Sequence, residues 1–203
     1  MNEECRFRFP ATVEEAAALV CPRCRSALAQ VVEAGGRTPL PRRQPYDGLE
    51  LVGLLDNIRS IHNVGSIFSS AYCAGAAHLH LAGITATPDH PRLAKAALGA
   101  HETVRWTYHR NAVDAAQALR AAGYYLIALE PMRPGSHSPF AHDDSPARLA
   151  LVVGNERAGV DPGVLALCDA VLSLPMAGGK TSLNAAVAFG IGVYYLRYRG
   201  DWG

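Results

Sequence analysis

Residues 149–159 have the sequence LALVVGNERAG, in which five apolar residues are followed at once by glycine and polar residues. The apolar run 149–153 has the length and partly β-branched composition of a buried strand. Gly154 and Gly159 let the backbone turn sharply and approach a ligand without a Cβ atom in the way. In an open α/β sheet, ligands bind in loops at the carboxyl ends of strands. The stretch therefore predicts a strand that ends in a binding loop.

A second run of the same kind follows at residues 170–174, with the sequence AVLSL, and Pro175 ends it. A mostly apolar segment at 182–198 then predicts a helix. Ser182 or Thr181 is available to cap the free N–H groups at its start, and Asn184 can also take a capping role there. Two glycine-rich loops, one after each strand, are thus expected to face one crevice.

Apolar runs of strand length alternate with segments of helical period from residue 50 onward, which indicates an α/β fold with a mainly parallel sheet and helices on both faces. The predicted strands are 51–55, 78–82, 103–106, 124–129, 149–153 and 170–174, and the predicted helices are 64–74, 91–98, 111–122, 161–168 and 182–198. The loop from Pro131 to Pro146 is long and rich in His, Ser and Pro, so it is either a lid or disordered padding.

Strands that end in glycine loops occur in many unrelated α/β proteins. A third segment, 56–68, changes the interpretation because it adds Asn63-Val-Gly-Ser-Ile67 ahead of the other two. With 154–159 and 174–184, these three motifs occur in the order seen in SPOUT-class RNA methyltransferases of the SpoU/TrmH type. The chain resembles that family over roughly residues 50 to 199.

The resemblance implies a C-terminal deep trefoil knot, a homodimer, and methyl transfer from S-adenosylmethionine to a ribose 2′-hydroxyl of tRNA or rRNA. It also implies site residues by position. The implied catalytic residues are Asn63, Glu156, Ser182 and Asn184, and the implied cofactor-binding residues are Gly154, Asn155, Gly159, Leu174, Met176 and Leu183. For Glu156, a plain stabilising role near a helix start is an equal alternative.

The chain departs from the family pattern at one catalytic position. The family's first motif normally ends in an arginine that helps deprotonate the ribose hydroxyl, and Ser69 stands there instead. A neutral hydroxyl cannot supply the field of a guanidinium. Arg59 is the nearest candidate substitute, although a solvated loop arginine or a phosphate contact is the alternative. The loss leaves two rival functions, a non-catalytic RNA- or cofactor-binding protein and a methyltransferase for another acceptor.

The N-terminal segment contains Cys21-Pro-Arg-Cys24, with Cys5 upstream. The two-residue spacing lets both thiolates reach one metal ion, so a degenerate zinc ribbon is predicted. A redox motif is less favoured because the pair follows a predicted helix. That helix begins with a capping box at Thr12 and Glu15. We expect a small module at 1–29, a Pro- and Gly-rich linker at 30–49, and the methyltransferase domain at 50–203.

Composition gives weaker constraints. The formal charge of +1 over 203 residues shows no bulk signature for nucleic acid, so local basic clusters would have to contact RNA. The chain has no uninterrupted apolar run of membrane-spanning length and no secretory pattern at its start, which predicts a cytoplasmic protein without a membrane partner. Cys73 and Cys168 are expected to be core residues of helices in a reducing compartment. The basic clusters are Arg6, Arg8, Arg23 and Arg25, and Arg37, Arg42 and Arg43.

Overall fold

The computed structural model describes residues 5–29, 48–131 and 146–198. The chain divides into two compact units, Met1–Arg42 and Arg43–Gly203. The division falls within the predicted linker at 30–49, most of which lies outside the described residues, so the linker stays a prediction. Residues 132–145, most of the predicted lid or padding loop, also lie outside them.

In the described part of the smaller unit, the regular structure is one helix, α1 (Val13–Ala18). The predicted capping box is confirmed: the Glu15 N–H donates to Thr12 Oγ1 at 3.1 Å, and the Thr12 N–H donates to the Glu15 carboxylate at 2.9 Å. The sequence predicts a helix that runs through Val20, and the observed helix ends two residues earlier, at Ala18. Beyond it, an antiparallel bridge between Val20 and Ala27 closes a turn that contains the cysteine pair.

The larger unit is a parallel sheet covered by helices. Its strands are β1 (Glu50–Asp56), β2 (His78–Ala82), β3 (Arg105–His109), β4 (Tyr125–Leu129), β5 (Arg148–Val153) and β6 (Ala170–Leu172). Its helices are α2 (Ile61–Ala74), α3 (Pro91–Ala97), α4 (Ala100–Thr103), α5 (Ala112–Ala121), α6 (Pro162–Leu165) and α7 (Ala185–Tyr198). No helix among the described residues is long and apolar enough to cross a membrane.

All five strand pairings are parallel, and the strand order is β3-β2-β1-β5-β4-β6. Each face of the sheet carries its own apolar cluster. Residues of α2, α3, α4 and α7 pack on one face, and residues of α5 and α6 pack on the other. Side chains alternate along a strand, so Leu51 and Leu55 of β1 enter the first cluster while Val52 and Leu54 enter the second. This architecture confirms the predicted α/β fold class.

Helices α2 and α7 lie side by side on one face and are joined at their C-terminal ends by Arg197. This side chain is 4% exposed, and its guanidinium donates to the carbonyls of Leu49, Ala74 and Gly75 at 2.8, 2.9 and 2.6 Å. Gly75 ends α2 in the left-handed conformation. The carbonyl oxygens at this end of the helix are therefore available to accept hydrogen bonds from the buried guanidinium, which requires them.

Several predicted boundaries were wrong. Helix α2 begins three residues earlier than predicted, at Ile61, α6 ends three residues earlier, at Leu165, and β3 ends three residues later, at His109. The third strand begins at Arg105, because residues 100–103 form the helical turn α4. Strand β6 ends at Leu172. The Leu172 carbonyl accepts from the N–H of Glu130, the residue after β4, and this is the last main-chain hydrogen bond between the β4 and β6 segments. Helix α7 begins three residues later than predicted, at Ala185.

The core assignment of Cys73 also needs correction, because it lies in α2 but is exposed. Cys168 is half-buried and packs against the second apolar cluster as predicted, but it lies beyond the end of α6. Helical period alone does not say which face of α2 a residue occupies, and the buried face runs through Val64, Ile67 and Ala71.

Candidate active site

A cavity of about 280 Å³ opens at the carboxyl ends of β4, β5 and β6. This volume is close to the lower end of small-molecule sites, about 300 Å³. The lining mixes apolar side chains, main chain and a few charges. The lining residues are Leu129, Glu130, Pro131, Val153, Gly154, Asn155, Glu156, Arg157, Ala158, Gly159, Leu174, Met176, Thr181, Ser182, Leu183, Ala185 and Ala188. All six predicted cofactor-binding residues are among them.

The loop after β5 closes on itself. Asn155 and Gly159 exchange two main-chain hydrogen bonds, at 3.0 and 2.8 Å. A Cβ atom on Gly154 would overlap the backbone of Gly159 and Val160, so only glycine permits this closure. The Asn155 side chain holds the loop from inside, because its Oδ1 accepts from the N–H groups of residues 157 and 158 and its Nδ2 donates to the Asn57 carbonyl at 2.7 Å.

Glu130 supports the far end of the same loop. It is 5% exposed, and its carboxylate accepts from the Val160 N–H at 2.5 Å. Gly159 has φ +77, and a Cβ atom there would lie 2.7 Å from Glu130 Oε1. Glu130 was not among the site residues predicted from the sequence. It could have been found, because this charged residue directly follows the apolar run of β4, as Gly154 follows β5.

Glu156 brings the second motif to the first. Its carboxylate accepts from the N–H groups of Arg59 and Ser60 at 2.9 and 3.0 Å and from Asn63 Nδ2 at 2.8 Å. Burial, the largest single influence on its pKa, favours the neutral acid, but these hydrogen bonds outweigh it and hold the pKa of Glu156 below its ordinary value. The carboxylate is therefore ionised at neutral pH and orients the Asn63 amide.

Asn184 joins the third motif to the other two. Its Nδ2 donates to Asn63 Oδ1 at 3.0 Å. Its Oδ1 accepts from the N–H groups of Ala186 and Val187 at 2.9 and 3.3 Å. Asn184 is thus the side chain that caps α7, in agreement with the capping role predicted for it. The predicted cap at Ser182 or Thr181 was wrong. A Glu156–Asn63–Asn184 chain of hydrogen bonds now connects three segments that are far apart in sequence.

The remaining predicted residues take different places. Ser182 lines the cavity. Arg59 contributes its main-chain N–H to Glu156, and its side chain is exposed and is not among the lining residues. Ser69 is half-buried in α2. Arg157, which the sequence analysis did not single out, is the single basic residue among the described residues that line the cavity.

The geometry unites three motif segments at one edge of a parallel sheet. Residues 50–194 match the model of the SpoU rRNA Methylase family. The chain belongs to the SpoU family. The resemblance drawn from the three motifs is confirmed by this match, which covers most of the larger unit.

Relatives of this SpoU-family chain have been named and solved. It is 34% identical over 152 residues to the 23S rRNA (uridine(2479)-2'-O)-methyltransferase of Streptomyces viridochromogenes, covering 73% of this chain and 51% of the relative. A solved structure of the SpoU methyltransferase AviRb from the same organism, in complex with AdoMet, aligns with TM-score 0.67 and 32% identity over 76% of this chain and 62% of that chain. The AdoMet-bound rRNA methyltransferase of Sinorhizobium meliloti aligns with TM-score 0.68 and 29% identity over 76% of this chain and 57% of that chain.

The SpoU-family chain spans about half the length of the first curated relatives that it matches. The shared part is the methyltransferase fold, so the mainly parallel sheet with helices is the family's architecture. The trefoil knot is a matter of how the chain threads, which strand order does not specify. It stays a prediction, as do the roles of the individual site residues.

Proposed function

We propose that the protein transfers a methyl group from S-adenosylmethionine to a ribose 2′-hydroxyl of an RNA. The observation that carries the proposal is the Glu156–Asn63–Asn184 chain of hydrogen bonds beside the cavity. It places one residue of each family motif in direct contact. The relatives named as RNA 2′-O-methyltransferase and as AdoMet-bound structures support the same chemistry. Both tRNA and rRNA remain candidate substrates.

The cavity fits S-adenosylmethionine in its residue types. Leu129, Val153 and Leu174 offer apolar surface for an adenine ring. The loop at Gly154 and Gly159 offers main-chain groups without an intervening Cβ atom. Glu130 adds a buried carboxylate, a favourable neighbour for a positively charged ligand. When bound, the cofactor would supply an electrophilic methyl group.

The residues around Asn63 would orient and activate the ribose hydroxyl. The Asn63 amide is held at both ends, by Glu156 and by Asn184, so its position is set before any substrate arrives. Ser182 lines the cavity ahead of α7 and would hydrogen-bond the hydroxyl. The N-terminal end of α7 carries partial positive charge, which favours the negative charge that develops as the proton leaves.

Two arginines are candidates for the cation that Ser69 cannot provide. Arg59 follows β1 and remains the candidate that the sequence analysis selected. Arg157 supports a stronger case, because it lines the cavity while the Arg59 side chain does not. We infer that Arg157 supplies the guanidinium near the reacting hydroxyl, and that Arg59 contacts RNA phosphate.

A non-catalytic role in binding RNA or cofactor is the second candidate function. The observation that favours it is Ser69, a neutral half-buried residue at the position of the family's catalytic arginine. This protein would bind S-adenosylmethionine without turning it over. A methyltransferase for a base nitrogen or a protein side chain is a further alternative.

We propose that the protein forms a homodimer through α7 and part of α2. Val187, Ile191 and Tyr194 recur along one side of α7 and are 51%, 44% and 37% exposed, and Tyr72 of α2 is 48% exposed. Large apolar side chains clustered at the surface mark an interaction site. A second copy of the chain would cover them and complete the site.

Basic residues of the smaller unit are available to contact RNA. Arg6, Arg8, Arg23 and Arg25 are exposed, and arginine is suited to bidentate phosphate contacts. With RNA as its substrate, the protein would act in the cytoplasm, as the sequence analysis predicts.

The test is methyl transfer from labelled S-adenosylmethionine to total RNA from a strain that lacks the protein, followed by nucleoside analysis. A labelled 2′-O-methyl nucleoside is expected. The variants Arg157→Ala and Arg59→Ala are compared in the same assay, and Arg157→Ala should lose more of the turnover rate. Cofactor binding by calorimetry without any labelled product would favour the non-catalytic function instead, and label on a base or on protein would favour the other acceptors.

A further inference from the structure

The sulfur atoms of Cys5, Cys21 and Cys24 meet in the smaller unit. All three lie within 4.8 Å of one another, and the Sγ atoms of Cys5 and Cys21 are 3.9 Å apart. Tetrahedral zinc bound at about 2.3 Å would place two thiolate sulfurs about 3.8 Å apart. The spacing of the sulfurs is therefore already close to that of a zinc site.

The two turns that present these cysteines share one backbone geometry. Arg6 follows Cys5 with φ 44, and Arg25 follows Cys24 with φ 62. Positive φ is uncommon for residues other than glycine. In the second turn, the Arg25 N–H donates to the Cys21 carbonyl at 2.8 Å.

The described part of the smaller unit, residues 5–29, has few other stabilising contacts. Among the side chains described in residues 5–29, Cys21 alone is buried, at 5% exposed. Phe7 and Leu19 are 47% and 46% exposed. Units of this size without an apolar core usually depend on a disulfide or a metal ion.

We propose that Cys5, Cys21 and Cys24 bind one Zn²⁺ through their thiolates, with a water molecule in the fourth position, and that this ion maintains the fold of the smaller unit. Zinc suits the site because it accepts thiolate ligands in tetrahedral geometry and has no redox chemistry of its own. The ion is structural and lies outside the residues assigned to methyl transfer.

The first test measures zinc content and thiol reactivity of the full chain, purified without chelator in reducing buffer. The chain has five cysteines. We expect about one zinc per chain. The exposed Cys73 should react rapidly, and three thiols should react only after a chelator removes the ion. Burial raises the pKa of Cys168 to about 12, so this thiol should react slowly with and without chelator. Four rapidly reacting thiols without zinc would overturn the proposal. Three thiols in total in the unfolded chain, unaffected by chelator, would overturn it in favour of a disulfide between two cysteines of the cluster.

A pair of variants then tests whether the zinc ion binds at the three clustered cysteines. Cys21→Ser should lose the bound zinc, and Cys73→Ser, which changes an exposed cysteine of α2, should retain it. Zinc retained in Cys21→Ser would refute the assignment. Limited trypsin digestion of the wild-type chain adds a readout that needs no variant. Cleavage after Arg23 and Arg25 should accelerate at least tenfold on chelation and return to its original rate when zinc is restored.

Discussion

Gly159→Ala tests how the loop after β5 is held. Gly159 lies in the left-handed region at φ +77, and its Cβ position is 2.7 Å from Glu130 Oε1. A new methyl group therefore meets two obstacles, its own backbone conformation and the carboxylate that accepts from the Val160 N–H. The first obstacle is local, and the second is specific to Glu130.

The two costs can be estimated separately. A residue with a Cβ atom loses about 1–2 kcal/mol in the left-handed conformation. The carboxylate must also move by about 0.7 Å to reach ordinary contact, which begins at 3.4 Å. A hydrogen bond to a charged group contributes about 1.5–3 kcal/mol, so weakening the bond to Val160 by half adds about 0.8–1.5 kcal/mol. The free energy of unfolding should fall by about 2–3.5 kcal/mol in all.

Gly123→Ala is the matched control, because Gly123 has φ +82 and nothing within 4 Å of its Cβ position. Thermal unfolding of both variants should show Gly159→Ala melting lower than Gly123→Ala by about 2–6 °C. Calorimetry should show weaker S-adenosylmethionine binding for Gly159→Ala alone. In a Glu130→Ala background the difference between the two glycine variants should shrink. Equal melting temperatures, or a difference that persists without Glu130, would refute the role given to the carboxylate.

Four further results are expected. Asn63→Ala should lower methyl transfer at least tenfold while His62→Ala, an exposed neighbour, leaves it unchanged, as labelled-methyl assays would show. Ser69→Arg should raise ribose methylation in a protein that still folds, and no increase would mean that another cation serves the site. Ile191→Asp should convert a dimer to a monomer in light scattering, and a wild-type monomer would refute the α7 interface. Burial, with smaller contributions from neighbouring histidines, lowers the pKa of His80 to about 4. Because the folded protein disfavours the protonated form, the free energy of unfolding should fall by up to about 3 kcal/mol as the pH decreases from 6.5 to 4. In urea unfolding, His80→Gln should reduce this loss of stability in acid.

Much of the larger unit could be predicted because its strands are short apolar runs that stop abruptly. The run 149–153 and the glycines after it led directly to the cavity, since a strand's carboxyl end is where a parallel sheet binds ligands. The motif order added Asn63 and Asn184, whose side chains the structure places 3.0 Å apart. No periodicity argument could have paired residues so distant in sequence.

The features that were missed depend on three-dimensional proximity. Glu130 belongs to the site because β4 lies next to β5 in the sheet, an order that sequence alone does not fix. The start of α7 was misplaced because Thr181, Ser182 and Asn184 could each have served as its cap. Asn184 takes this place in the structure, where it also contacts Asn63. Strand β3 was shifted because α4 is a single turn, too short to show a helical period.

The hydrogen bonds that Asn184 and Arg197 form with α2 have a consequence for the synthesis of the protein. Asn184 and Arg197 bind the first and last turns of α2, and both follow the six strands in sequence, so they leave the ribosome after them. In a nascent chain that has reached only residue 183, Glu156 is present to bind Asn63 Nδ2, but the Asn184 donor to Asn63 Oδ1 is still missing. Under the proposed function, such a chain would be inactive on RNA, so activity would report that synthesis had passed the start of α7.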